Sequence, residues 1–163
     1  MKKLIHPYGR HFADIFKKKR AKISKLLKNI EIHHIGSTAV PNLGGKGIID
    51  IMIGIKSWEE LENTTKKLKT IGFKHVDFKE KGRVFLSEAE ESKPGNAHIH
   101  IVKIGGKAYK ELLFFRNYLR ENKKEAKKLF NFKLKWAKET GENRIRYGRL
   151  KAIYVKNILV KNQ

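Results

Sequence analysis

The sequence predicts an α/β (α+β) fold: a mixed β-sheet flanked by helices, with a helical C-terminal third. Three observations lead there. Residues 48–55 are nearly continuous in Ile and Met, which marks a strand buried on both faces. Helical and strand periodicities alternate in the order helix, strand, loop, strand, helix, three strands, helices. From Ala108 onward only helical spacing remains.

Each element has its own signal. Residues 12–27 place Phe12, Ile15, Phe16, Ile23, Leu26 and Leu27 at mostly helical spacing, with Lys and Arg between them. A basic amphipathic helix suits a membrane surface or nucleic acid, and more ordinarily it covers a sheet. Residues 30–35 form a short strand, and Gly36, Pro41, Gly44, Gly45 and Gly47 punctuate the loop after it. Residues 58–68 are helical. Residues 73–78 and 83–87 are strands joined by a turn at 79–82. Pro94 and Gly95 end a polar loop, and residues 97–104 alternate as a strand. Helices are expected at 108–119, 125–137 and 143–160.

Bulk properties bound the function. The 163 residues and 19.0 kDa suit one domain, taken as residues 1–163. There is no cysteine, which excludes disulfides, thiolate metal sites and a cysteine nucleophile. No apolar run approaches the roughly 20 residues needed to cross a bilayer. The start is too short and broken for a signal peptide. A cytoplasmic protein with no membrane partner is the expectation. The net charge of +22, from 38 basic and 16 acidic residues, favours anionic partners: a nucleotide, RNA or an acidic acceptor. Thirty of the basic residues are Lys and eight are Arg, so general compositional bias explains the surplus as well. Charge alone does not choose between a triphosphate and an RNA.

The chemistry concentrates in His34-Ile-Gly-Ser-Thr-Ala-Val-Pro, followed by Gly45-Lys46-Gly47-Ile-Ile-Asp50. A strand ends, Gly36–Ser37 turns, and a second strand presents a carboxylate. Glycine lets backbone approach a phosphate, and a hydroxyl with free N–H groups holds its oxygens. A carboxylate beside them suits a hard divalent cation bridging to phosphate. The spacing is not that of a Walker loop. The same residues would equally make a tight turn and an edge carboxylate with no chemistry. His98 and His100 share one strand face. With Asp50 they would form a His₂-carboxylate set suited to Zn²⁺, Fe²⁺ or Mn²⁺. They would also serve as hydrogen-bonded structure or as contacts to a substrate phosphate. His33 and His34 point to opposite faces; His34, on the face of Gly36, is the better site candidate, although a lone histidine there is more often structural.

Cations in the last third admit two uses. Arg116 and Arg120 share a helix face. Lys133 sits among Leu129, Phe130, Trp136 and Ala137, and Lys151 among Tyr147, Tyr154 and Val155. Such groups clamp a triphosphate, or snorkel to solvent. Tyr147 would stack on a base or simply pack.

The run 34–41 with 46–51 resembles the hallmark of the GrpB family, assigned to the nucleotidyltransferase superfamily. His98-Ile-His100-Ile-Val102 is similar to that family's His-x-His-x-Val strand, and residues 115–120 to its Phe-Arg-(Asp)-x-Leu-Arg helix. Phe132-Lys133 and Tyr147 with Lys151 resemble its later patterns. The similarity covers nearly the whole chain. It implies a nucleotidyltransferase-like fold and metal-dependent transfer of a nucleotidyl group from an NTP to an unknown acceptor. It implies Ser37 and Asp50 as catalytic residues. Gly36, Ser37, Lys46, Arg116, Lys133 and Lys151 would hold nucleotide phosphate. Asp50, His98 and His100 would hold a divalent cation, Mg²⁺ or Mn²⁺, with Zn²⁺ as the alternative. Three departures stand out. Asn42 replaces a glycine, Gly47 replaces a proline, and Met52 stands where the wider superfamily has a second carboxylate. Met52 keeps a rival reading open, a non-catalytic nucleotide- or RNA-binding module. Domains of this kind also occur fused to dephospho-CoA kinase, which implies a helper role near coenzyme A metabolism.

Overall fold

The computed structural model describes residues 5–75, 81–91, 93–141 and 143–161. Helix α1 (His11–Leu26) leads into β1 (Glu31–Ile35). A 3₁₀ turn, Ser37–Ala39, opens the loop to β2 (Ile49–Ile55). A second 3₁₀ turn, Trp58–Glu60, precedes α2 (Leu61–Lys69). Then come β3 (Lys74–His75), β4 (Arg83–Ser87) and β5 (Ala97–Lys103), followed by α3 (Lys107–Glu121), α4 (Lys123–Thr140) and α5 (Arg144–Lys161). The strand expected at 73–78 is seen as β3; its residues 76–78, and 79–80 of the expected turn, lie outside the described residues.

The five strands form one mixed sheet in the order β1-β2-β5-β4-β3. β2 and β5 pair in parallel, and the other neighbours are antiparallel. Both faces of β2 are covered, which accounts for its unbroken apolar run. Ile49, Ile51, Ile53 and Ile55, with Ile99 and Ile101 of β5, meet Phe12 and Ile23 of α1 and Leu68 of α2. On the opposite face Met52, Val102 and Ile35 meet Ala108, Tyr109, Leu112 and Leu113 of α3. Each buried isoleucine contributes about 1.5–3 kcal/mol relative to exposure.

The C-terminal helices pack together, as the helical spacing predicts, but they also grip the loop between β1 and β2. Val40 and Leu43 from that loop are buried with Leu119, Ala126, Leu129, Trp136 and Tyr147. Polar contacts fix the same loop. His6 and Gly45 exchange two backbone hydrogen bonds of 2.7 and 2.9 Å. Thr38 Oγ1 donates to the Ile48 carbonyl at 3.1 Å and accepts from His34 Nε2 at 2.9 Å. Asn42 adopts φ +64°, a region open to glycine and tolerated by asparagine. Gly47 adopts φ +74°, which a proline could not reach.

His34 corrects an expectation. Its ring lies on the α1 side of the sheet, stacked on Phe16 at 4.5 Å, and it shares no face with the carboxylate of Asp50. Strand alternation ends at Gly36, whose backbone (φ +70°, ψ −168°) turns the chain before the loop begins.

His34 ties stability to pH. Burial, reinforced by Arg120 and Arg116 and opposed by Asp50, pushes its pKa from 6.5 to about 4. Between those values the unfolded chain binds a proton that the native state refuses, so stability falls as pH falls through that window. The full loss is about 3 kcal/mol from this group, and burial of His100 acts in the same direction. Urea unfolding at pH 7 and pH 4.5 should show the loss, and His34→Gln should reduce it. Equal stability at both pH values would contradict a buried neutral imidazole.

Candidate functional site

Asp50 is the second residue of β2, paired with Ile35 on β1 and with His98 on β5. Met52 pairs with His100. Alternation along the parallel strands therefore sets Asp50, Met52, His98 and His100 on one face. Met52 is wholly buried under α3, whereas the Asp50 side chain keeps 21% exposure. The structure brings the expected His98, His100 and Asp50 together. His100 Nε2 donates to Asp50 Oδ1 at 3.1 Å, and His98 Nδ1 lies 3.7 Å from the same oxygen. Phe85 meets both imidazoles edge-on, with centroids 4.8 and 5.2 Å away. His100 Nδ1 is buried without a hydrogen-bond partner, as expected of a neutral Nε2–H tautomer.

This arrangement is a carboxylate held by two imidazoles. Burial pushes the Asp50 carboxyl up, but the imidazoles of His100 and His98, with the positive charge of Lys151, outweigh it and hold the pKa well below the usual range. The rings are turned toward Asp50 rather than toward a shared vacant point. Among the described residues no group of three or more His, Asp or Glu side chains is placed to hold a metal ion.

The Gly36–Ser37 turn lies directly on that carboxylate. A Cβ at residue 36 would collide with Asp50 Oδ2, and φ +70° strains any other residue there. On the far side of the turn, α4 delivers Lys133. Its side chain is 2% exposed. Its amine donates to the Ser37 hydroxyl oxygen and to the Gly44 carbonyl, the latter at 3.1 Å. Gly45 permits this approach: a Cβ there would sit 3.2 Å from Ser37 Cβ and 3.4 Å from Lys133 Nζ.

Two more lysines complete a cationic cluster. Lys46 Nζ lies 4.3 Å from the ring centroid of Tyr147. Burial, then repulsion from Lys151 and Arg144, lowers Lys46 to about 8. Burial drives Lys133 well below its ordinary value; Lys151 and Lys46 reinforce the shift and Asp50 opposes it. Among the described residues no carboxylate pairs with Lys46, Lys133 or Lys151. Tyr147 is buried at 3% and packs edge-on against Trp136, so its ring is not an open platform for a base.

Arg116 is placed differently from a phosphate clamp. Its Nη1 donates to the His34 carbonyl at 3.1 Å and its Nε to Asn117 Oδ1 at 2.9 Å. Arg120 Nε donates to the Ala39 carbonyl at 2.8 Å. The pair ties α3 to the backbone on either side of the turn. Thr38, Gly45 and Phe85 are site-building residues that sequence reasoning passed over. Their signals were slight: a hydroxyl and a glycine inside a motif already noted, and an aromatic in register with His100.

The GrpB protein family profile matches residues 3–161. The chain belongs to the GrpB family. UPF0157 protein YqkA of Bacillus subtilis is 33% identical over 126 residues, which make up 74% of this chain and 35% of YqkA. The chain thus matches about a third of that relative's length. The crystal structure of conserved protein GrpB from Enterococcus faecalis superposes with a TM-score of 0.84 at 28% identity, covering 94% of this chain and 93% of that one. The Cid1 poly(U) polymerase with Mg 3′-dATP bound superposes with a TM-score of 0.57 at 15% identity, covering 93% of this chain and 49% of that one. The last is a likeness of fold alone. Among the described residues no helix is long and apolar enough to cross a membrane.

Two measurements test the construction of the site. Gly36→Ala should cost at least ~2 kcal/mol in urea unfolding, combining left-handed strain with displacement of Asp50. An unchanged midpoint would mean the turn does not rest on the carboxylate. The lysines act at alkaline pH. Their folded pKa values lie below the unfolded value of 10.5, so the unfolded chain carries the extra protons and stability rises as pH rises from about 8 to 10.5. Lys133→Met should flatten that rise, and an undiminished rise would locate its source elsewhere.

Proposed function

We propose that this GrpB-family chain binds a nucleoside triphosphate with a divalent cation and transfers the nucleotidyl group to an acceptor. The observation that carries the reading is the Gly36–Ser37 turn resting on Asp50 beside lysines that form no ion pair with a carboxylate among the described residues. Ser37, Lys46 and Lys151 would take phosphate oxygens, with Lys133 orienting the Ser37 hydroxyl. Asp50 would hold the cation. Magnesium keeps most of its waters and accepts one or two carboxylates besides phosphate. One aspartate therefore suits Mg²⁺ or Mn²⁺, while imidazoles spent on aligning Asp50 do not supply a zinc set. When bound, the cation supplies charge neutralisation on the phosphate chain. Transfer forms a bond from an acceptor oxygen to the α-phosphorus and releases pyrophosphate. Support for the ligand comes from the shared fold, since Cid1 poly(U) polymerase was captured with Mg 3′-dATP.

Met52 favours a second reading. Wholly buried at the alternate position, it leaves no second carboxylate on β2. A nucleotide- or RNA-binding module would keep the fold without turnover.

Thermal shifts with each NTP and Mg²⁺, Mn²⁺ or Zn²⁺ test both. A ligand at about 100 times its dissociation constant adds roughly 2.7 kcal/mol of stability. Asp50→Asn should remove the metal-dependent part. If no nucleotide stabilises the protein under any metal, the nucleotide site is refuted. Stabilisation without NTP consumption, with RNA affinity falling steeply in salt, selects the module.

A further inference from the structure

We propose that Ser37 is a nucleophile with Lys133 as its base, and that Ser37 itself accepts the nucleotidyl group first, as a covalent intermediate. The identity of the electrophile rests on the nucleotide reading above; the dyad rests on geometry. A nucleophile needs an exposed hydroxyl, a base within hydrogen-bond reach, and a third group that orients the base. Ser37 is partly exposed at the head of the loop, and the Lys133 amine shares its hydrogen bond. The Gly44 carbonyl, 3.1 Å from Nζ, fixes the amine from the other side. Lysine serves as base to serine where burial keeps it neutral.

The surroundings enforce that neutrality. Lys133 is 2% exposed and has no carboxylate partner among the described residues. Lys46 acts on it from the loop and Lys151 from α5, both opposing its protonation, while Asp50 on β2 alone favours it. A neutral amine has one lone pair and two N–H groups. One N–H goes to Gly44, and the lone pair accepts the Ser37 proton. The dyad also answers what Met52 leaves open, because a buried amine deprotonates a hydroxyl without a second metal-bound carboxylate.

The step balances. Ser37 Oγ forms a bond to the α-phosphorus, and the bond from that phosphorus to the bridging oxygen breaks. Its electron pair leaves with pyrophosphate. The serine proton passes to Lys133 Nζ, and the new ammonium faces the phosphodiester it has helped to make. In the second half an acceptor hydroxyl bonds to the α-phosphorus as the Ser37 Oγ–phosphorus bond breaks, and it releases its own proton to solvent. Ser37 departs and recovers its proton from Lys133.

A fluorophosphonate, a phosphorus electrophile that needs neither nucleotide nor metal, is the direct probe. Peptide mass spectrometry should place the adduct on Ser37 of the wild type and find none in Ser37→Ala. Lys133→Met, checked for folding by circular dichroism, should react at least ~100-fold more slowly, the usual worth of a positioned base. The wild-type rate should rise with pH well below the ordinary lysine range, because burial lowers Lys133. Absence of a Ser37 adduct overturns the dyad. So does a wild-type rate in folded Lys133→Met, or a rate that climbs only above pH 10, which decides the matter even if that variant does not fold. Incubation with Mg²⁺ and ATP labelled at the α or γ position then tests the transfer. Label from the α position on Ser37 supports it, and label from the γ position alone overturns it. Nucleotide-induced thermal shifts without any fluorophosphonate adduct would leave the nucleotide site standing and remove this inference.

Discussion

A lysine amine leaves water only when it is hydrogen-bonded and either paired with an anion or relieved of its proton. Lys133 meets this condition through a serine hydroxyl and one carbonyl, both from the loop between β1 and β2. The loop has no other route to that geometry. A side chain at Gly45 would crowd Ser37 and Lys133, and Val40 and Leu43 hold the loop down by burial against α3, α4 and α5. Pulling α4 away would strand a buried amine and expose two apolar anchors together. The C-terminal helices are therefore part of the site, although the sheet carries its carboxylate.

The sheet contributes a different constraint. Parallel pairing of β2 and β5 fixes Asp50 opposite His98 and one step from His100. A carboxylate so deep would gain a proton unless something stabilised its charge, and the imidazoles do so. Their service to Asp50 explains why three potential ligands in one place do not make a three-ligand site. Gly36 presses on the other carboxylate oxygen, so the charge of Asp50 and the shape of the turn are a single packing unit.

Much of this was legible in the residues. The apolar run of β2, the alternation of β5 and the 3.6-residue spacing of α1, α3, α4 and α5 report burial on one or two faces, and burial is what shapes these elements. Lys133 showed itself by standing in an apolar stripe, since a helix seldom spends a buried position on a charge. His34 offered both a site role and a structural one, and it stacks on Phe16 and bonds Thr38. Arg116 shows what side-chain pattern leaves out. Composition and spacing mark a cation but not its acceptor, and the acceptor is the His34 backbone carbonyl, remote in sequence. Tertiary contacts to main chain leave no trace in side-chain pattern.

The lysine cluster explains how one site can be stable while empty and receptive when filled. Lys46, Lys133 and Lys151 repel one another in a partly desolvated space. That repulsion is relieved by releasing protons or by admitting an anion. Without ligand, burial and the charges of Lys151 and Lys46 favour the first route at Lys133. A polyphosphate would open the second route at Lys46 and Lys151, which are partly exposed. Lys133, the buried member, would then take its proton from the Ser37 hydroxyl as the phosphorus bond forms. That division of roles is a property of the buried cluster as a whole, and it is why Lys133 has to be neutral, central and hydrogen-bonded to Ser37 all at once.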